Sequence, residues 1–279
     1  MLTEGVVPLL PLSGKSLRLT RLSRPGDGNF LIVPMDHSVA DGPISDATGF
    51  SRIVGDVVAA GADAIVVHKG RARSLEPGLL QGAALIVHLS ASTPHAPDGD
   101  AKVVVGGVEE AVRAGADAVS VHVNVGSDTE KRQLADLGAI AADCDRWGMP
   151  LLAMMYARGP RIQDPRDPAL LAHVVSIAVD LGADVVKTVA PDSAEDMAGI
   201  VAKTPVPVVV AGGPGGGRDL SDFARFAMHA GCRGLAVGRQ VFHNPDPAAA
   251  VRTLTAAVHG PRPETAPKTT SLPELAGAM

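Results

Sequence analysis

Eight short runs of β-branched and aliphatic residues, separated by longer Ala-rich and charged stretches, constrain this 279-residue chain more than any other feature. They lie near Phe30–His37, Ala62–His68, Ala83–Ser90, Ala116–Val125, Pro150–Gly159, Ala183–Thr188, Val206–Gly213 and Gly234–Arg239. Near-continuous apolar runs of this length read as parallel strands buried on both faces, and parallel neighbours need crossover connections between them. Helical spacing fills the intervals. In Thr129 to Trp147, Leu134, Leu137, Ile140 and Ala141 recur at three- and four-residue steps, and Glu109–Ala114, Pro168–Leu181, Glu195–Ala202, Leu220–Ala230 and Pro247–Val258 read similarly.

A repeated tripeptide fixes the phase of the pattern. Gly61-Ala62-Asp63, Gly115-Ala116-Asp117 and Gly182-Ala183-Asp184 precede the second, fourth and sixth strands, and Gly231-Cys232-Arg233 precedes the last. Each glycine predicts a left-handed helix exit feeding the next strand. Eight βα units without a GxGxxG turn after the first strand favour an α/β fold of the closed (β/α)8 TIM-barrel type over an open doubly wound sheet. Residues 1–22 form an N-terminal extension on this reading, residues 23–259 a single barrel domain, and residues 260–279, rich in Pro and Thr, a flexible C-terminal tail.

Composition narrows the function. The 25 Lys and Arg against 30 Asp and Glu give a formal charge of -5, so no broad basic field attracts nucleic acid or an anionic membrane. One Trp, one Tyr and five Phe offer no base-stacking surface. Cys144 and Cys232 stand alone, outside any zinc or disulfide pattern. No apolar run approaches bilayer length, and the N-terminus lacks the order of a secretory signal, so a cytoplasmic protein is expected.

In such barrels active sites form at the carboxyl ends of the strands. Here these ends carry Asp36 and His37, His68 and Lys69, His88 and Ser90, His122 and Asn124, Tyr156 and Arg158, Lys187, Gly212 and Gly213, and Gly238 and Arg239. Lys187 lies inside a strand, where burial favours the neutral amine that attacks a ketone to form an iminium. Against this stands a lysine whose head escapes to solvent or pairs with Asp36, and Lys69 is a rival nucleophile. Tyr156 is placed to move a proton, or is a core tyrosine with a satisfied hydroxyl. Asp36 would orient the amine, accept a proton or bind a substrate hydroxyl, or else serve as a cap or ion pair. Gly212 and Gly213 with Gly238 and Arg239 suit a phosphate held by backbone N–H groups and a guanidinium. The histidines lack metal-ligand spacing, so neither a metal nor another cofactor is expected.

Several segments, in order, resemble the DhnA-type class I aldolases, which include archaeal fructose-bisphosphate aldolase and the aminodideoxyheptulosonate synthases. They are Pro34-Met35-Asp36-His37-Ser38, Val67-His68-Lys69-Gly70, Met155-Tyr156-Ala157-Arg158-Gly159, Val186-Lys187-Thr188, Ala211-Gly212-Gly213-Pro214 and Val237-Gly238-Arg239. The resemblance spans roughly residues 17 to 259. It implies a Schiff base at Lys187, a proton-transferring phenol at Tyr156 and an essential carboxylate at Asp36. It further implies substrate contacts from His37, Ser38, Val39, Ala40, Ala157 and Arg158, and phosphate contacts from Gly212, Gly213, Gly238 and Arg239.

The segments 85–93 and 119–124 and Cys144-Asp145-Arg146-Trp147 resemble the branch that acts on aspartate semialdehyde. Within it they resemble actinobacterial enzymes of 3-amino-4-hydroxybenzoate formation, which join dihydroxyacetone phosphate to L-aspartate semialdehyde. Small-molecule partners and a homo-oligomer are what this resemblance implies. Val189-Ala190-Pro191-Asp192 departs from the family's usual Pro-Tyr continuation after Lys187-Thr188, and Ala157 replaces a common Pro. The alternatives are the sister synthase using a deoxyhexodiulose phosphate, a fructose-bisphosphate aldolase, a metal-dependent aldolase, a flavin-mononucleotide barrel oxidoreductase and a non-catalytic phosphosugar binder.

Overall fold

The computed structural model describes residues 13–212 and 219–260. Most of the expected C-terminal tail, the first part of the N-terminal extension and Gly213 with the glycines after it lie outside the described residues.

Eight parallel strands close into a barrel: β1 (Phe30–Pro34), β2 (Ala64–His68), β3 (Ala84–His88), β4 (Ala118–Val125), β5 (Leu151–Ala157), β6 (Val185–Thr188), β7 (Val208–Gly212) and β8 (Gly234–Val237). They follow one another around the ring in chain order, with β8 pairing back onto β1 through Phe30 and Gly234. The TIM-barrel expectation therefore holds. The expected runs were longer at several ends. β1 stops at Pro34, although Met35 N–H still donates to Val66 O at 2.7 Å. The chain then turns into the single-turn helix α2 (Ser38–Asp41), leaving Asp36 and His37 at the barrel mouth.

Helices cover the barrel: α3 (Ala47–Ala59), then, past the single turn α4 (Lys69–Ala72), α5 (Val108–Arg113), α6 (Glu130–Trp147), α7 (Pro168–Asp180), α8 (Ala194–Ala202) and α9 (Leu220–His229), the last five where the apolar spacing predicted helices. The short helix α10 (Arg239–Phe242) and α11 (Pro247–His259) end the described chain. Asp167, Asp219 and Asp246 cap α7, α9 and α11, each accepting from an N–H inside the first turn. Between β2 and β3 the connection is only α4 and a 3-10 turn at Pro77–Leu80. Gly70, Pro77, Gly78 and Gly82 fall in this stretch and oppose a longer helix.

The four helix-exit glycines, Gly61, Gly115, Gly182 and Gly231, all have positive φ, between 80° and 110°. The aspartates beside three of them do more than end helices. Asp63, Asp117 and Asp184 each accept the N–H of a residue in the preceding barrel strand, at Leu31, Leu85 and Leu151, while their own N–H groups donate to the carbonyls of the same leucines. The repeat thus stitches neighbouring strands together at the floor of the barrel.

Alternation along the strands divides the core in two. Phe30, Ile32, Ala64, Val66, Ile86, Leu152, Met154, Val185, Val209 and Ala236 fill the barrel interior, and the residues between them pack against the helices. The floor is closed by Leu22, which follows the amino-terminal helix α1 (Gly14–Arg21). That helix docks through Lys15, 2.6 Å from Asp145 and 3.1 Å from Asp184, and through Arg18 donating to Gly148 O.

His259 ends α11 and lies between two carboxylates, Nδ1 2.9 Å from Asp27 and Nε2 2.9 Å from the fully buried Asp63. Burial opposes the imidazolium, but these hydrogen bonds outweigh it and raise the pKa above its ordinary 6.5. A raised folded-state value means stabilisation fully present below the unfolded value and lost as pH rises through the folded one. We expect His259→Gln to lower Tm most near about pH 6 and the deficit to shrink by about pH 9. Thermal denaturation across that range checks this, and a deficit independent of pH would contradict the charged clamp.

Candidate active site

β6 has four residues, so its alternation decides the chemistry of the barrel mouth. Val185 and Lys187 point inward, and the register sets Lys187 beside Met154 of β5 and Val209 of β7. Lys187 is 7% exposed. Its Nζ lies 3.8 Å from Met154 Sδ, and among the described residues it has no carboxylate in ion-pair range. The amine therefore neither escapes to solvent nor pairs with Asp36, the two arrangements that would have made it structural. Lys69, the rival nucleophile, opens α4, lies outside the cavity and pairs with Glu110 at 3.0 Å.

The cavity above Lys187 measures about 240 Å³. Asp36, His37, Val39, Ala40, Tyr156, Arg158, Lys187, Gly212, Gly238 and Arg239 line it, so most of the expected site residues converge on one space. Ser38 and Ala157 do not line it. Ala157 faces outward into the core beneath the helices.

Asp36 is the hub of the polar network. His37 Nδ1 is 3.4 Å from its Oδ1 and His88 Nε2 is 3.7 Å from its Oδ2. Burial alone would raise its pKa, but His88, His37, Lys187 and His68 together bring it down to about 2. Asp36 is thus an ionised acceptor at neutral pH. Its histidine neighbours are the reverse. Burial lowers His88 to about 4 against the attraction of Asp36, with His68, Lys187 and Lys102 adding to the fall. Desolvation at the half-buried His122, with Lys102 and Arg158 facing it, holds its pKa well below the usual range. Burial also lowers His37 and His68.

These neutral imidazoles are fixed by neighbours. His88 Nδ1 is 2.8 Å from Ser120 Oγ, His122 Nε2 is 2.8 Å from Asn124 Oδ1, and His68 meets His88 edge to face. Among the described residues, no group of three or more His, Cys, Asp or Glu side chains is arranged to hold a metal ion.

Tyr156 lies two residues beyond Met154 on the same inward face, with its ring 4.8 Å from that of His122 and the Arg158 guanidinium stacked 4.5 Å over it. At the opposite rim, Gly212 and Gly238 bring bare backbone to the cavity, and Arg239 reaches to 3.9 Å from Asp41. Sequence reasoning missed Lys102, Ser92 and Asp41, which also line the cavity. Lys102 and Ser92 come from the loop after β3, where no apolar periodicity marks a residue as inward-facing.

Gly238 is sterically required. A Cβ there would sit 2.6 Å from Pro34 O and 2.7 Å from His37 Cε1. We expect Gly238→Ala to cost about 1–3 kcal/mol in overpacking. Gly70→Ala, where nothing lies within 4 Å, provides the matched control. Chemical denaturation of both variants checks this, and equal midpoints would contradict the close approach of β8 to the end of β1.

Comparison with known proteins agrees with the geometry. The family described as DeoC/LacD family aldolase matches residues 30–244. The chain is 53% identical over 251 residues to 2-amino-4,5-dihydroxy-6-oxo-7-(phosphonooxy)heptanoate synthase of Streptomyces griseus, covering 88% of this chain and 90% of that protein. It is 45% identical over 248 residues to 2-amino-3,7-dideoxy-D-threo-hept-6-ulosonate synthase of Halobacterium salinarum, covering 88% and 92%. An archaeal fructose-1,6-bisphosphate aldolase, solved with its catalytic lysine covalently bound to the carbinolamine intermediate, superposes with a TM-score of 0.78 at 28% identity, over 88% of this chain and 99% of that one. This chain belongs to the DeoC/LacD family of aldolases.

Proposed function

We propose that this aldolase joins dihydroxyacetone phosphate to L-aspartate 4-semialdehyde through a Schiff base on Lys187, giving 2-amino-4,5-dihydroxy-6-oxo-7-(phosphooxy)heptanoate. The observation that carries the reading is a buried amine without a carboxylate partner, facing a cavity that also holds an ionised carboxylate and a phenol. The identity to the Streptomyces griseus synthase supports the choice of substrates.

On this reading the Lys187 amine adds to the donor ketone, and loss of water from the carbinolamine leaves an iminium. Removal of a proton from the adjacent hydroxymethyl carbon gives the enamine, whose carbon attacks the aldehyde of the acceptor. Water then releases the product and restores the amine. Tyr156 and Asp36 handle the proton transfers, with Asp36 acting as an acceptor because it stays ionised throughout the neutral range. Gly212, Gly213, Gly238 and Arg239 hold the phosphate, while His37, Ser38, Val39, Ala40, Ala157 and Arg158 contact the carbon chain and the acceptor.

Borohydride reduction in the presence of dihydroxyacetone phosphate, followed by peptide mass spectrometry, tests the assignment. We expect the adduct on Lys187 and its loss in Lys187→Met. A label on Lys69, or none, would reject the reading. We further expect Asp36→Asn to reduce kcat by about 10²- to 10⁴-fold without moving the acidic limb of the pH–rate profile, because a carboxyl at about 2 titrates below that limb. A limb that shifts when Asp36 is replaced would contradict the ionised-acceptor role.

A further inference from the structure

The loop between β3 and α5 carries a cation that neither the fold nor the chemistry above requires. Its two-residue strands pair antiparallel, Ser90 with Val104 and Ala91 with Val103. The next positions in that register are Ser92 and Lys102, and Lys102 Nζ donates to Ser92 Oγ. The loop is anchored from below: Asp100 O accepts from Asn124 Nδ2 at 2.8 Å and from Gln133 Nε2 at 3.0 Å, while Ser90 Oγ accepts from His122 N. Lys102 is therefore held over the cavity by barrel residues.

Arg158 faces the same space, and each side chain lacks an ion-pair partner among the described residues. Two cations close enough to repel each other, one of them partly desolvated, mark a place that an anion would stabilise. Its position in the ring gives the anion a role. β6, which bears Lys187, lies midway between β8 and β4. The glycine-and-arginine rim belongs to β7 and β8, whereas Lys102 and Arg158 rise from the arc formed by β3, β4 and β5. A molecule bound at Lys187 with an anionic group at each end would span these two rims.

We propose that Lys102, with Ser92 and Arg158, forms the acceptor-side anion site and takes the carboxylate of the amino-acid aldehyde, making Lys102 a specificity-determining residue. This rests on the Schiff-base reading above. The bound carboxylate screens the repulsion between the two cations, and an aldehyde without an anionic group leaves that repulsion in place. A terminal phosphate on a sugar aldehyde presents the same kind of charge, so the acceptors must be compared directly.

The test measures kcat/KM of the native chain, Lys102→Gln and Lys102→Arg with aspartate semialdehyde, glyceraldehyde 3-phosphate and butanal, all with dihydroxyacetone phosphate as donor. In Lys102→Gln we expect the ratio of kcat/KM for aspartate semialdehyde to that for butanal to fall at least about tenfold, mainly through KM, with partial recovery in Lys102→Arg. Equal losses for both aldehydes, no loss, or a loss confined to glyceraldehyde 3-phosphate would overturn the proposal. Borohydride labelling of Lys187 by the donor alone separates the two levels. Labelling that persists in Lys102→Gln together with an unchanged acceptor ratio defeats only the acceptor site, whereas a native chain that is never labelled defeats the Schiff-base reading and this site with it.

Discussion

The inward orientation of one ammonium-bearing side chain is the constraint on which the rest of this molecule depends. Strand alternation leaves Lys187 no outward option, because Val186 and Thr188 face the helices and Val185 and Lys187 face the barrel axis. Burying an ammonium without a counterion is costly, so natural cores pair such groups. Lys187 has no such partner among the described residues: Asp36 stays ionised on the lining of the same cavity, whose space keeps the amine open to a ligand.

The same burial acts on neighbouring groups with opposite results. Asp36 keeps its charge because cations and imidazoles surround it, and the imidazoles lose theirs because burial and the nearby lysines outweigh the one carboxylate. The mouth thus combines a fixed anion, neutral histidines held by Ser120 and Asn124, and cations at two opposite rims. Such preorganised charge suits a reaction that makes and discharges a positive nitrogen.

Much of this was legible in the sequence, for identifiable reasons. The eight strands announced themselves through apolar runs that cannot be exposed, and Lys187, Tyr156 and Asp36 through polar residues at the ends of those runs. The helix exits were readable because glycine is favoured at positive φ, which all four adopt. What the sequence hid depends on long-range register. The strand-stitching role of Asp63, Asp117 and Asp184 requires knowing which N–H lies opposite. His259, the last residue of the expected barrel domain, clamps the floor from nearly two hundred residues away, through Asp63. Lys102 has no neighbouring pattern to mark it, and only the pairing of Ser90 with Val104 carries it to the cavity.

A crystal structure of the protein soaked with dihydroxyacetone phosphate and cryotrapped tests the central claim most directly. The account predicts continuous density from Lys187 Nζ to the donor's carbonyl carbon, with the phosphate at the rim of β7 and β8. Density that stops short of Lys187, or a covalent link to any other residue, would contradict it.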